Sequence, residues 1–394
     1  MKDHNHIDLT LLIAVLMLML FSLGIVYSAS ASYAMAKSGN SEQFLTRHAA
    51  KVLIGILGLF IGMRMNYQSL QKFTKIAVIV SVVFLLVTFV LGGETKGATR
   101  WLRFSIIGFQ PSEFAKYALL FHLSALIATK EEVIQDFKKG FVPMMIWIAL
   151  VTVLVMAQPN FSMGAMIFLL SLMMLYIGNV RLKHLGLTFA ILLPLIIVYM
   201  LSAEYRYHRI TDFASGTAGL FNGPDSIDKF EYQLRQAIIG FGNGGIFGAG
   251  PGESKQRDFF LPESYGDFVF SIVGEEYGFI GTAFFMLVFL FIMYRGFRIA
   301  KYTEDPFGRY LAIAITSAIT FYAIINAGVT LGVFPTTGLP MPFVSYGGSS
   351  MVLSACAVGV LLNISSHTDL HPRAREIPVV GSVNADDLSV RKVY

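Results

Sequence analysis

Long runs of apolar residues, separated by short polar segments, dominate the chain. Most runs are about 20 residues long, the length that an α-helix needs to cross the roughly 30 Å hydrocarbon core of a bilayer. The pattern predicts ten spans, near residues 9–29, 48–64, 76–92, 112–128, 141–157, 162–179, 187–203, 268–294, 310–334 and 346–366. The predicted fold class is an all-α polytopic membrane protein, with one ten-span domain over residues 1–366 and a flexible cytoplasmic tail over 367–394.

The first apolar run permits a second interpretation. Met1 and Lys2 precede it and Ala29-Ser30-Ala31 follows it, as in a signal peptide with its cleavage site. The run is long for the apolar core of a signal peptide, which favours a membrane span.

Basic residues are distributed unevenly between the predicted loops. With the N-terminus inside, the outer loops carry Lys37, Arg47, Lys96, Arg100 and Arg103, and the opposite side carries Arg64, Lys72, Lys75, Lys130, Lys138, Lys139, Arg181, Lys183, Arg295, Arg298, Lys301, Arg309, Arg373 and Arg375. Positive charge near span ends is retained in the cytoplasm. Both termini are therefore predicted to be cytoplasmic, and the longest loop, about 204–267 between spans seven and eight, extracellular.

Composition supports a membrane protein and excludes several other classes. The 394 residues are 55% hydrophobic and 14% charged, whereas a soluble domain carries about 25% charged residues. The net charge of +5 is spread between spans without a basic face, so no nucleic-acid partner is predicted. A single cysteine, Cys356, allows no intramolecular disulfide, and the eight histidines lack metal-ligand spacing.

Three acidic residues mark the outer end of the eighth span. Asp267 stands just before the apolar run that begins at Phe268, while Glu275 and Glu276 lie about 12 Å deeper by helix rise. Ionised groups at such depth are costly unless they are paired or hydrated. The structural alternatives are a helix cap for Asp267 and a buried ion pair for the two glutamates.

A second polar group precedes the fourth span. The segment runs from Lys96-Gly97-Ala98-Thr99-Arg100-Trp101 to Gln110-Pro111-Ser112-Glu113-Phe114-Ala115-Lys116. Pro111 starts a helix, on which Glu113 and Lys116 are one turn apart and able to pair. The pair is either a self-sufficient salt bridge or, with Arg100, a site for an anionic ligand.

The outer segments also contain a glycine cluster and a proline-rich stretch. Seven glycines between Gly240 and Gly252 lack the pattern of a nucleotide-binding loop, which leaves a flexible loop or, with Lys255 beside it, backbone donors for a diphosphate. Residues 334–350 contain three prolines and a Gly-Gly pair. This stretch predicts either a rigid turn or a non-helical segment beside a cavity at the tenth span.

These motifs together resemble the SEDS family of bacterial cell-wall proteins, the RodA, FtsW and SpoVE group, over about residues 10–366. The resemblance rests on residues 97–101, 110–116, 240–252, 254–270, 275–278 and 334–350. Asn160-Phe161-Ser162 and the Thr336–Pro340 segment are more similar to the FtsW division branch than to the RodA elongation branch.

The resemblance implies a peptidoglycan glycosyltransferase that polymerises lipid II at the outer face of the bacterial cytoplasmic (inner) membrane. It implies a class B penicillin-binding protein as partner, together with other divisome or elongasome membrane proteins. Activity is expected to depend on Asp267, and the family's arginine before tryptophan and its Glu/Lys pair map to Arg100, Glu113 and Lys116.

Two departures limit this transfer. Many relatives have Gln-Pro-Asp-x-Gly-Thr where this chain has Gln158-Pro159-Asn160-Phe161-Ser162-Met163, and His-Thr where it has Tyr265-Gly266 before Asp267. No mechanistic role can therefore be given to those side chains on the basis of the family.

An inverting transfer with a polyprenyl diphosphate leaving group would need a base at the attacking hydroxyl and positive charge at the diphosphate. We expect Asp267 as base or as ligand of Mg²⁺ or Mn²⁺, with Arg100, Lys116 and Lys255 at the leaving group and no organic cofactor. Glu275 and Glu276 are expected to support the site. The alternatives are a lipid II flippase or transporter and a non-catalytic divisome scaffold.

Overall fold

A computed structural model of the chain describes residues 7–91, 93–95, 98–104, 107–201, 204–220, 230–262 and 264–370. Helices account for most of them: α1 Leu9–Ser38, α2 Gln43–Arg64, α3 Tyr67–Leu91, α4 Pro111–Thr129, α5 Val142–Ala157, α6 Phe161–Ile177, α7 Leu182–Leu201, α8 Glu204–Leu220, α9 Tyr232–Gly244, α10 Val269–Tyr302, α11 Pro306–Thr330 and α12 Gly348–Ser366. Short π-helical turns cover Phe137–Phe141 and Gln256–Phe260.

The helical multi-span fold predicted from the sequence is confirmed. A helix lies at each of the ten predicted positions, which are α1 to α7 and α10 to α12. In the described residues seven helices are long and apolar enough to cross a bilayer, while α6 and the apolar part of α7 are shorter. The count of ten crossings and the cytoplasmic side of both termini stay predictions.

Helix α1 is continuous through Ala29-Ser30-Ala31 and ends at Ser38. It therefore extends nine residues beyond the predicted span. Most of the predicted tail, residues 371–394, lies outside the described residues.

Two helices form the centre of the bundle. In both α11 and α12, 78% of the most apolar window is buried, against 22% in α2 and 28% in α3. The exposed faces of the outer helices carry large apolar side chains, such as Val90 at 82% and Phe279 at 68% exposure. That arrangement suits a bundle surrounded by lipid chains, in which buried helices are apolar on every side.

Helices α2 and α12 pack with their backbones in contact. A Cβ atom added at Gly62 would lie 2.3 Å from the Cys356 carbonyl oxygen, and one added at Gly359 would lie 2.1 Å from the Leu59 carbonyl oxygen. Small residues at such crossings let membrane helices approach closely, and dispersion contacts then stabilise the pair.

Gly359→Ala is expected to destabilise the protein by about 1–3 kcal/mol, because the added methyl group forces α2 and α12 apart. Gly24→Ala is the matched control, since a Cβ at this position in α1 meets no atom within 4 Å. Thermal unfolding in detergent should show a lower midpoint for Gly359→Ala alone. Equal midpoints for the two variants would contradict the close approach.

Two connections between helices, both predicted to be on the outer side, contain structure that the sequence pattern did not predict. Between α3 and α4 the chain forms three short antiparallel strands, β1 Gly93–Thr95, β2 Ala98–Phe104 and β3 Ile107–Phe109. The sheet joins α12 where the Ser349 hydroxyl donates to the Gly108 carbonyl and accepts from the Gln110 amide. The predicted long loop 204–267 contains α8 and α9.

Candidate functional site

Asp267 lies half-buried in the turn that leads into α10. The N-cap of α10 is Phe268, whose side chain makes no capping bond. Asn326 of α11 holds the turn, because its Nδ2 donates to the carbonyl oxygen of Asp267 at 2.7 Å and to that of Leu339 at 2.8 Å. One buried amide therefore ties the Asp267 backbone to the proline-rich segment.

Gly338 brings the proline-rich segment against the Asp267 carboxylate. A Cβ at Gly338 would lie 3.2 Å from Asp267 Oδ2, and its φ of 69° is in the left-handed region. Glycine adopts that conformation without steric cost. The segment predicted to be a rigid turn or the edge of a cavity is thus one wall beside Asp267.

The glycine cluster fills a break in α10. At Gly278 the helix has φ 64° and ψ −163°, which separates the peptide groups on either side of it. The Ala249 and Gly250 amides donate to the freed carbonyls of Glu275 and Glu276, at 2.9 and 3.0 Å. The Phe279 and Ile280 amides donate in turn to the carbonyls of Gly245 and Ile246.

This exchange of hydrogen bonds matches neither prediction for the glycine cluster. Peptide groups of the cluster pair with α10, so the amides of Ala249 and Gly250 are not diphosphate donors in this conformation. Gly248 has no room for a side chain, since a Cβ there would lie 2.2 Å from the Glu276 carbonyl oxygen. The cluster is a packed loop that fixes the chain leading to Asp267.

Glu275 of α10 holds the glycine cluster and the residues after it through hydrogen bonds. Its buried carboxylate accepts the Ser254 hydroxyl and the backbone amides of Lys255 and Gln256, at 3.2 and 3.1 Å for the amides. Asn243 Nδ2 donates to it at 3.3 Å. Lys255, whose amide is bound by Glu275, is an exposed residue, so its ammonium is accessible at the surface of the protein.

Glu276 faces α1 instead. Its carboxylate accepts the Ser28 hydroxyl, while Arg257 Nη1 donates to Ser28 Oγ at 2.9 Å and to the Ser28 carbonyl at 3.2 Å. Among the described residues neither glutamate forms an ion pair, so the structural alternative of a buried pair was wrong. Both carboxylates bind hydroxyl or amide groups of the elements around Asp267.

Glu113 and Lys116 form the predicted pair on α4. Lys116 Nζ lies 2.7 Å from Glu113 Oε2, and the side chains are 2% and 1% exposed. The Lys116 ammonium also lies 4.0 Å from the ring centre of Tyr322 on α11. Tyr322 is four residues, or about 6 Å of helix rise, before Asn326. The pair therefore lies about one turn of α11 from the residue that holds Asp267.

Arg100 lies on β2, and its side chain is outside the described residues, as are Lys96 and Gly97. The backbone fixes its strand, since the neighbouring residue Thr99 pairs with Glu94 of β1. Its predicted part in the site stays a prediction.

The sequence analysis missed an aromatic group beside Asp267. The rings of Tyr265 and Tyr346 lie 5.6 Å apart, and the Tyr346 amide donates to the Tyr265 carbonyl at 2.9 Å. Lys51 Nζ lies 3.4 Å from the Tyr346 ring centre. Burial raises the pKa of the Tyr346 phenol above its usual value of 10.0, with Arg47 opposing the shift, so the ring is neutral at physiological pH.

Gly248→Ala is expected to loosen the loop, because alanine meets both the Glu276 carbonyl and a φ of 86°. Strain of this kind costs about 1–3 kcal/mol. Thermal unfolding and limited proteolysis should show a lower midpoint and faster cleavage between residues 245 and 262. Gly242→Ala is the control, because a Cβ there meets open space. Indistinguishable proteolysis of the two variants would contradict the packed loop.

Comparison with known proteins finds relatives that match nearly the whole chain. A family model for FtsW, RodA and SpoVE, described as cell cycle protein, matches residues 9–370. The probable peptidoglycan glycosyltransferase FtsW of Geobacter metallireducens is 34% identical, over 93% of this chain and 96% of that protein. Stage V sporulation protein E of Bacillus subtilis is also 34% identical, over 92% of this chain and 97% of that protein.

Two solved structures share the fold. A chain solved in work on the structural coordination of polymerization and crosslinking by a peptidoglycan synthase complex has a TM-score of 0.73 and 22% identity, covering 93% of this chain and 98% of that one. The rod shape determining protein RodA of Thermus thermophilus has a TM-score of 0.65 and 21% identity, covering 91% and 96%. The chain therefore belongs to the FtsW, RodA and SpoVE family.

Proposed function

We propose that this chain is a peptidoglycan glycosyltransferase that polymerises lipid II at the outer face of the bacterial cytoplasmic membrane. The observation that carries the proposal is the half-buried Asp267, whose backbone carbonyl is held by Asn326 and whose carboxylate lies against Gly338 of the proline-rich segment. The names of the relatives support the reaction, and the alignments with the Geobacter metallireducens and Bacillus subtilis proteins extend over more than 90% of this chain.

The reaction transfers glycan from one lipid-linked sugar to another with inversion. Asp267 removes the proton from the 4-hydroxyl of the acceptor sugar, and the oxygen forms a bond to the anomeric carbon of the donor. The bond from that carbon to the polyprenyl diphosphate breaks, and its electron pair leaves with the diphosphate. A carboxylate with partial burial suits this role, because nearby low-dielectric surroundings strengthen its interaction with the hydroxyl.

Positive charge is needed where the diphosphate leaves. We assign this role to Lys255 and Arg100, both on outer segments of the chain. Lys116 and Glu113 act from below: their closed pair packs on Tyr322 and holds the part of α11 that carries Asn326. Glu275 and Glu276 support the site by fixing the loop and α1 around it.

A divalent cation would bind here only together with the diphosphate of the substrate. In the described residues no group of three or more His, Cys, Asp or Glu side chains is placed to hold a metal. Mg²⁺ is often bound by one or two carboxylates together with substrate phosphates. Asp267 would supply the carboxylate, and the ion would neutralise charge on the diphosphate.

The partner proposed is a class B penicillin-binding protein, within a divisome or elongasome of other membrane proteins. This proposal is supported by the solved chain of similar fold from the work on a peptidoglycan synthase complex that coordinates polymerization and crosslinking. The FtsW-like relatives favour a place in cell division.

A lipid II flippase is the rival function, since intramembrane charges can mark a translocation path. At the other end of the bundle Asp8 Oδ2 pairs with Arg295 Nη2 at 2.7 Å and the Asp8 amide donates to Ser365, so these two charges are already paired with each other. The buried pair of Glu113 and Lys116 lies between the two ends with 2% exposure or less. These contacts favour the enzyme.

Proteoliposomes that hold lipid II in a single leaflet separate the two functions. We expect glycan polymer when lipid II occupies the leaflet facing Asp267, and no transfer of lipid II between leaflets. Transfer without polymer, even with the penicillin-binding partner present, would establish the flippase and overturn the enzyme. If the protein shows neither polymer formation nor transfer of lipid II, the remaining function is that of a non-catalytic scaffold.

A further inference from the structure

Four rings form a connected cluster at the outer end of the bundle, here called the aromatic shelf: Tyr33, Phe44, Tyr265 and Tyr346. Neighbouring ring centres are 4.7 to 6.0 Å apart. The rings come from α1, α2 and the segments before α10 and α12. None is fully buried, and Tyr33 is 37% exposed.

The aromatic shelf is continuous with the proposed site. Tyr265 is two residues before Asp267, so their Cα atoms are at most about 7 Å apart. The backbone bond from Tyr346 to Tyr265 fixes the segments before α10 and α12 together. A ligand on the shelf is therefore within one sugar ring or two of the carboxylate.

Positive charge lies next to the shelf, at a group here called the cationic corner: Lys51, Arg47 and the first turn of α12. Lys51 is half-buried, with its ammonium over Tyr346 and its Cε 3.4 Å from a Cβ built at Gly348, where α12 begins. Arg47 is one turn before Lys51 on α2. The N-terminus of α12 adds a partial positive charge, and Gly347 at its N-cap provides no side-chain acceptor.

No carboxylate among the described residues balances the charge of Lys51. In the described part of the chain Lys51 forms no ion pair with a carboxylate. Like charges one turn apart on a helix repel, and a half-buried ammonium loses hydration. An anion at the corner would relieve both costs, and helix N-termini bind phosphate groups in this way.

A second buried group faces the same ring. His48, fully buried, has its Nε2 2.9 Å from Ser22 Oγ, and that hydroxyl already donates to the Met19 carbonyl. Nε2 is therefore the protonated nitrogen, which makes Nδ1 an acceptor. Nδ1 has no partner among the described residues, and the ring lies 5.6 Å from Tyr346.

We infer that the cationic corner binds the diphosphate, and the aromatic shelf the sugar, of one lipid-linked substrate. The inference rests on the proposed function and names new substrate-binding residues for it. Diphosphate supplies the missing negative charge, and aromatic faces pack against the apolar faces of a sugar ring. Lys51 is a binding residue, with no part in the chemistry at Asp267.

Binding without turnover tests the corner. Purified Asp267→Asn protein in phosphatidylcholine nanodiscs is titrated with lipid II and with undecaprenyl diphosphate, which lacks the sugar. Lys51→Gln should lower the affinity for both ligands by about 10-fold, since it removes a charge-assisted contact. Lys51→Arg should retain affinity within about threefold. Lys72→Gln, which changes an exposed lysine in the second turn of α3, is the control and should change the affinity for neither ligand.

The shelf has its own test. Tyr33→Ala should lower the affinity for lipid II by about fivefold and leave the affinity for undecaprenyl diphosphate unchanged. Tyr27→Ala removes a ring of similar exposure, 38%, one to two turns earlier in α1, and should change the affinity for neither ligand. Equal losses for both ligands in Tyr33→Ala would overturn the assignment of the sugar to the shelf.

Three further results would overturn the inference or distinguish it from the proposed function. Unchanged affinities in Lys51→Gln would remove the corner from the site. Displacement of lipid II by added phosphatidylglycerol, lost in Lys51→Gln, would make it a phospholipid headgroup site. If binding depends on Lys51 but the native protein makes no polymer, the proposed function is refuted and the binding site inferred here still stands.

Discussion

Asp267→Asn is expected to lower the rate of glycan polymerisation by about 10²–10⁴-fold, the usual contribution of a general base. The amide keeps nearly the same shape but cannot accept the proton of the acceptor hydroxyl. The affinity for lipid II should change little, because binding depends on other groups. Single-turnover rates and equilibrium binding, measured on the same preparation, would give the two effects separately.

Two variants make this result specific. Asp267→Glu retains the carboxylate but lengthens the side chain beside Gly338, where a Cβ would already lie 3.2 Å from Oδ2, so most activity should be lost. Glu253→Gln removes an exposed acid from the same outer loop and should leave the rate unchanged. A full rate in Asp267→Asn would remove Asp267 from the chemistry.

Glu113→Gln is expected to destabilise the protein by about 3–5 kcal/mol, because it leaves the Lys116 ammonium buried without its partner. Lys116→Met should have a similar effect through Glu113. The double variant should be more stable than either single variant, since it removes both charges. Thermal unfolding of the four proteins forms a double-mutant cycle that isolates the interaction.

An exposed pair provides the control for this cycle. Arg257 and Asp258 lie 3.5 Å apart, with Asp258 51% exposed. Surface pairs contribute about 0–1 kcal/mol, so Asp258→Asn should shift the midpoint far less than Glu113→Gln. Additive effects in the buried cycle would contradict a coupled pair at this depth.

The parts of the fold that were predictable from the sequence depend on local patterns. Apolar runs of 20 residues specify helices whatever their neighbours are, so all ten positions carried helices. Glu113 and Lys116 were paired correctly because three residues of helix separate them. The three short strands were missed, because β1 and β3 have only three residues each, too few to show an alternating pattern, and β2 is recognisable as a strand only from its pairing with them.

The rest of the site depends on contacts between residues distant in sequence. Asn326 reaches the Asp267 backbone across 59 positions, and Lys51 meets Tyr346 from the opposite end of the chain. The glycine cluster was expected to be flexible or to bind a diphosphate. Its partner is instead the broken turn of α10, and the break at Gly278 cannot be recognised from a single glycine in an apolar helix.

Formation of glycan polymer from lipid II by the purified chain tests the central claim most directly. Native protein and Asp267→Asn, each alone and with a class B penicillin-binding partner, are incubated with labelled lipid II and Mg²⁺ or Mn²⁺. The account predicts polymer from native protein and none above background from Asp267→Asn. Absence of polymer from native protein in the presence of its partner, or equal polymer from both forms, would contradict it.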